Sequence, residues 1–341
     1  MMSRLRLAAL CALALAGLRV DVARAQTPTA RVVNAANAFL TSLDEGQRGR
    51  AVFAYDDEKQ RKQWSNFPIS IVPRSGIKFG EMTPAQRTAA LNLLSSVLSK
   101  RGFEKVQQIV AADEVLKSNE RGNLLFGKDL YFFSILGTPS EKTPWMLQFG
   151  GHHLALNITI NGAQGILTPS LTGAQPAMYT VDGKTIRPLG QESDKAHALI
   201  NDLSDAQRAK AIFSYRVADL VLGPGQDGKV IQPEGLKASE MNAKQKGMLL
   251  DLISEWASIV HENAAEARMT EIKAGLDDTW FAWSGPTTVA EGRNGTAYYR
   301  IQGPKLVIEY APQQMGGDPS MHIHSMYRDP TNDYGKKVSS K

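Results

Sequence analysis

The sequence predicts an α+β fold of two similar halves packed together, and three observations carry that expectation. Residues 43–55 read LDEGQRGRAVFAY and residues 203–215 read LSDAQRAKAIFSY, matching Leu43, Gln47, Arg48, Ala51, Phe53 and Tyr55 to Leu203, Gln207, Arg208, Ala211, Phe213 and Tyr215. The match resumes in GIKFGEMTPAQ (from Gly76) and GLKASEMNAKQ (from Gly235). A self-match this long predicts an internal duplication. In each half, helical signals come first and strand signals follow, the order of a segregated α+β fold with antiparallel strands.

Asp44 with Gln47, and Ser204 with Gln207, have capping-box spacing and start the first helix of each half. Thr83-Pro84-Ala85-Gln86 starts the second helix with a cap, a proline at the first turn and a glutamine three residues on. Leu91, Leu94, Val97 and Leu98 then recur at helical spacing. The second copy starts at Asn242-Ala243-Lys244-Gln245 and continues through Leu249, Leu250, Ile253, Trp256 and Val260. A further helix is expected near residues 103–116 and again near 264–274. The period then changes. Residues 130–136 (LYFFSIL) and 279–283 (TWFAW) read as strands. WMLQFGGHHL (from Trp145) aligns with YYRIQGPKLV (from Tyr298), with Gly150 and Gly303 at the turn and Lys305-Leu306 in place of the two histidines. The expected divisions are a leader at 1–25, a first repeat at 26–164, a connector at 165–197, a second repeat at 198–312 and a C-terminal segment at 313–341. The connector has strand content only at 177–181. The last six residues are expected to be disordered.

The N-terminus reads as a secretory signal: Arg4 and Arg6, the apolar run from Leu7 to Leu18, and Ala23-Arg24-Ala25 before Gln26. The run is too short to span a bilayer. The expected location is therefore the periplasm or the exterior. Cleavage removes Arg4, Arg6, Arg19, Arg24 and Asp21, taking the formal charge from +5 to about +2. That balance gives no electrostatic case for nucleic acid. Cys11, the only cysteine, lies within the leader. Disulfides, thiolate ligands and cysteine nucleophiles are thereby excluded from the mature chain.

The chemistry rests on histidine. Four of the six histidines form two clusters, His152-His153 and His322-Ile323-His324. On a strand, His322 and His324 point to the same face and can chelate copper, zinc or iron. His152 and His153 follow two glycines, and at most one joins a site unless the segment is a loop. The second half lacks both, so the architecture does not require them. Asp329 is open between a turn role and a role as ligand, orienter of a histidine or general base. Asp333 reads as turn chemistry. Arg328 reads as an anion clamp or a structural ion pair. Glu309, in VIEY, faces either solvent or a site; its counterpart in the first half is Leu156. His197 and His261 are expected in solvent near helix ends. No G-x-S-x-G elbow, Walker loop, H-E-x-x-H, or G-x-G-x-x-G followed by a helix is present.

The combination of WMLQFGGHHLALN (Trp145 to Asn157), YYRIQGPKLVIEY (Tyr298 to Tyr310) and HIHSMYRDPTNDYG (His322 to Gly335) resembles the domain of unknown function 3500 family. The resemblance covers nearly the whole mature chain. It implies an exported bacterial protein and supplies no catalytic residues.

Three functional readings follow. The first is an exported metal-binding protein whose site combines His152 or His153 with His322 and His324, either a carrier or a redox or hydrolytic metalloenzyme. The second is a metal-free hydrolase or lyase using His324 with Asp329. The third is a small-molecule binding module in which Trp145, Trp280, Tyr298 and Tyr299 line a cleft and Arg300 or Arg328 reads an anion.

Overall fold

In the computed structural model, residues 27–119, 124–315 and 317–339 are described, so the expected leader lies outside the described residues. The first half runs α1 (Pro28–Ser42), α2 (Glu45–Ala51), β1 (Val52–Phe53), α3 (Glu58–Lys62), β2 (Ile77–Lys78), α4 (Pro84–Val97), α5 (Lys100–Asn119), β3 (Phe132–Leu136), β4 (Trp145–Gly151), β5 (Leu154–Asn161) and β6 (Gln164–Ala174). A ribbon of β7 (Tyr179–Val181) and β8 (Lys184–Ile186) leads to α6 (Gly190–Asp202), α7 (Asp205–Ala211), β9 (Leu236–Lys237), α8 (Ala243–Ala257) and α9 (Glu262–Ala274). The chain finishes with β10 (Trp280–Ser284), β11 (Tyr298–Gly303), β12 (Leu306–Pro312), β13 (Ile323–Arg328) and α10 (Lys336–Ser339).

Among the described residues helices and strands are thus mixed, and all strands but the ribbon join one eleven-stranded sheet. Its order is β1-β3-β4-β5-β6-β13-β12-β11-β10-β9, with β2 also on β3. The antiparallel run β3 to β6 meets the antiparallel run β10 to β13 at a central seam, where Ile323 pairs with Ala174 and His324 with Gly173. The capping signals work as the sequence requires. Asp44, Thr83, Ser204 and Asn242 each accept the N–H of a glutamine three residues on, and each glutamine returns a bond to the cap.

Several expectations need correction. Each half opens one helix earlier than expected, with α1 and α6. Residues 165–197, expected as a connector, supply most of β6, the ribbon and the start of α6. Weak alternation hid β6, because it is buried on both faces along most of its length. Lys336–Ser339, expected to be disordered, form a short helix. His152-His153 are the two turn residues between the paired Gly151 and Leu154, and Pro304-Lys305 occupy the same place between Gly303 and Leu306. The counterpart of Glu309 is therefore Asn157, not Leu156. The alignment was out by one residue there, and a one-residue slip reverses the face assigned to a side chain.

The sheet is covered on both sides. Trp145, Leu147 and Phe149 face the first helical core, and Ile323, Tyr299 and Tyr327 face the second. On the opposite face Met146, Ala155, Leu171 and Met326 pack with Trp64 and Tyr334, beneath loops from both halves. The period-two rule then places His324, Met326 and Arg328 on the loop-covered face.

Candidate metal centre

The centre of the sheet assembles the site. Leu154 pairs with Thr172 across β5 and β6, which sets His153 beside Gly173, and Gly173 pairs with His324 across the seam. A Cβ on Gly173 would lie 2.7 Å from the Ile323 carbonyl oxygen and 3.4 Å from the His153 ring, so the absence of a side chain there makes room for the imidazole. His153 takes the left-handed conformation, φ 60°, uncommon for a residue with a Cβ and costing on the order of 1 kcal/mol. His322 is extended immediately before β13 and shares parity with His324.

His153, His322 and His324 meet as a result, with one ring nitrogen from each lying within 4.8 Å of the others. His153 Nε2 is 2.9 Å from His322 Nε2, which is 3.2 Å from His324 Nε2. All three side chains are buried, at 2%, 7% and 5% exposure. Nitrogens bonded tetrahedrally at about 2.0–2.1 Å from one ion stand about 3.3 Å apart, close to the spacings of His322 Nε2 from the other two rings.

Hydrogen bonds fix the tautomers. His322 Nδ1 lies 2.7 Å from the Met315 carbonyl oxygen, which can only accept, so Nδ1 carries the proton and Nε2 presents a lone pair. His324 Nδ1 lies 3.1 Å from Asp219 Oδ1, so Nδ1 carries a proton here too, and Nε2 presents a lone pair when the ring is neutral. Burial, reinforced by the neighbouring imidazoles, holds His153 well below the usual histidine range. Burial likewise lowers His322, to about 4, against the opposing bond to Met315. Asp219 is depressed: burial opposes its charge, but the bonds from His324, the Leu220 N–H and Gln313 outweigh it. Asn66 completes the surround. Its backbone carbonyl accepts from the backbone N–H of His153 at 3.1 Å, and its side-chain Nδ2 sits 3.3 Å from His324 Nε2.

His152, expected as a possible ligand, does not join the three. Its Nδ1 lies 2.6 Å from Asp113 on α5, and its ring packs against His153 with centroids 3.7 Å apart and the planes tilted by 36°. The turn thus uses both histidines, one in the cluster and one as a packed neighbour.

The remaining candidates hold the scaffold. Glu309 is fully buried and accepts from the Val221 N–H (2.8 Å), the Leu222 N–H (2.7 Å) and the Tyr298 hydroxyl (2.7 Å). Arg328 donates to the Leu222 and Gly223 carbonyls and pairs with Asp227 and Asp333. Both anchor the loop that carries Asp219. Glu309→Gln is accordingly expected to lower stability by roughly 2 kcal/mol, because an amide oxygen cannot replace both carboxylate oxygens and a buried N–H loses its partner. Urea denaturation measures this, and an unchanged midpoint would remove the anchoring role.

Asp329 accepts from the Thr331 N–H and hydroxyl and pairs with Arg268 at 2.9 Å. Five residues of extended chain separate it from His324, about 16 Å at about 3.3 Å per residue, so the two form no catalytic pair. The aromatic cleft is not formed either. Trp145 lies in one helical core and Tyr299 in the other, and Arg300 is paired with Glu234. His197, expected in solvent, is buried against Trp283 and bonded to the Ser193 carbonyl. His261 is partly exposed beside Glu262.

Sequence reasoning missed Asp219, Asp113, Asn66 and the Met315 carbonyl. Two of them carried a signal: Asn66 and Asp219 lie where the self-match lapses, between Tyr55 and Gly76 and between Tyr215 and Gly235.

The fold and site define a mixed helix-and-strand protein with a buried three-histidine cluster able to hold a metal ion. The chain belongs to the family described as protein of unknown function DUF3500, whose model matches residues 25–336. No curated protein matches it. No solved structure matches it.

Proposed function

We infer that this is an exported metal-binding protein, periplasmic or secreted, with His153, His322 and His324 as the protein ligands of one transition-metal ion. The single observation behind this is the facing of lone pairs. The Met315 carbonyl and Asp219 accept hydrogen bonds from the Nδ1–H groups of His322 and His324, leaving the two Nε2 atoms facing each other 3.2 Å apart. With both rings neutral, two lone pairs at that distance repel unless a cation lies between them. A metal ion fits because burial disfavours protonated His153 and His322. Copper, zinc and iron suit an all-imidazole set. Asp219 orients His324 as a carboxylate orients a metal-bound histidine elsewhere.

Three protein ligands leave a tetrahedral ion one position for water or a substrate, the pattern of a catalytic rather than a closed structural site. At that position the ion would act as a Lewis acid or redox centre. The chain's own residues would hold the imidazoles neutral and exclude bulk water. Asp219, half-exposed, marks the side nearest solvent. The self-match supports a tandem duplication as the origin of the fold, with the site at the junction of the halves.

A second reading has one observation in its favour. The same contacts are satisfied without metal if His324 is an imidazolium paired with Asp219 and donates to His322 Nε2. Elemental analysis of untagged protein beside His322→Ala/His324→Ala separates the two. Near one equivalent of metal in the wild type and none in the variant is expected. A protein that stays metal-free after reconstitution would leave the protonated cluster as the reading.

A further inference from the structure

A groove of about 410 Å³ lies between α4, α5 and the β7–β8 ribbon, apart from the histidine cluster. That volume falls within the range of small-molecule sites, roughly 300–1,000 Å³. Its walls are mainly apolar, including Leu94, Phe103, Val110 and Phe149, and Val181 of the ribbon stays 47% exposed at its edge. Polar groups gather at the rim. Glu114 there is already engaged, by the Lys128 N–H at 2.9 Å and by Lys117 at 3.9 Å. The Lys128 ammonium makes no ion pair among the described residues. An apolar trough ending at one unneutralised cation is complementary to an amphiphile with a single negative head.

We propose that this groove binds a medium-chain alkyl or aryl carboxylate, its apolar body along α5 and its head at Lys128. The site is independent of the metal reading. Its floor nevertheless touches the histidine turn, since the Tyr131 ring lines the groove while its hydroxyl donates to the His152 carbonyl oxygen at 2.8 Å.

The test is calorimetric titration of the full mature chain, metal-loaded and chelated, with octanoate, decanoate and decanol below their micellar limits. Each added methylene contributes about 0.8 kcal/mol when buried, so affinity should rise roughly fourfold per carbon. Decanoate should bind at least several-fold more tightly than decanol in the wild type. Lys128→Gln, an exposed change that leaves the core intact, should erase that preference while keeping the chain-length dependence. Val110→Trp should fill the groove and abolish both. Absence of saturable binding, or affinity independent of chain length, overturns the site. A preference for decanoate that persists in Lys128→Gln overturns the assignment of its head. Because chelated protein is titrated too, failure here is distinguishable from failure of the metal site.

Discussion

His153→Ala is expected to remove most of the thermal stabilisation that saturating zinc or copper gives the chelated wild-type protein. A ligand that binds only the folded state at a thousandfold excess over its Kd contributes about 4 kcal/mol, which is several degrees in Tm for a chain of this length. If the roughly 10–16 kcal/mol of a four-ligand zinc site divides evenly, one imidazole carries about 3 kcal/mol, more than a hundredfold in affinity. Alanine keeps the Cβ that makes the left-handed turn costly, so the variant is compared by its metal-induced shift and not by its absolute Tm. The comparison variant is Asp219→Asn. It keeps all three ligands and removes only the carboxylate that orients His324, so its affinity should fall by about 10–100-fold. The expected ranking is wild type, then Asp219→Asn, then His153→Ala. Equal Tm shifts in wild type and His153→Ala would show that the ion binds elsewhere.

Acidification should destabilise the metal-free protein between pH 6.5 and about 4, and more steeply in wild type than in His322→Ala. Both His153 and His322 fold with depressed values, His322 near 4, against an unfolded value near 6.5. In that window the unfolded chain binds protons that the folded chain refuses, so stability falls as pH falls. Above about pH 6.5 the contribution is fully present. From pH 7 to pH 5, His322 alone accounts for roughly 2 kcal/mol, at about 1.36 kcal/mol per unit of pH. Urea midpoints of chelated protein at the two pH values provide the measurement, read as wild type minus variant because His197 is depressed by burial as well. Identical pH dependence in the two proteins would mean that His322 is not held neutral by the fold. Metal release should follow the same direction, since protons compete for the same lone pairs.

Local rules accounted for much of what was legible. Capping boxes at Asp44, Thr83, Ser204 and Asn242 are complete within four residues, so no distant partner is needed to read them. The same holds for the parity of His322 and His324. What escaped depended on long-range pairing. β6 showed no clear alternation because both its faces are buried. Glu309 and Arg328 looked like site residues, and only the loop around Leu222 shows them to be anchors.

The sequence by itself determined the class of the fold, the recurrence of its motifs and the imidazole chemistry of the site, because periodicity, caps and residue types are local properties. Tertiary structure decided which histidine completes the cluster. The β6–β13 register brings His153 to His324 across Gly173, from positions 171 residues apart in the chain. Tertiary structure also decided the tautomers, since the Met315 carbonyl and Asp219 arrive on separate loops. Register and loop approach are set by the packing of the whole sheet, and no short stretch of sequence contains them.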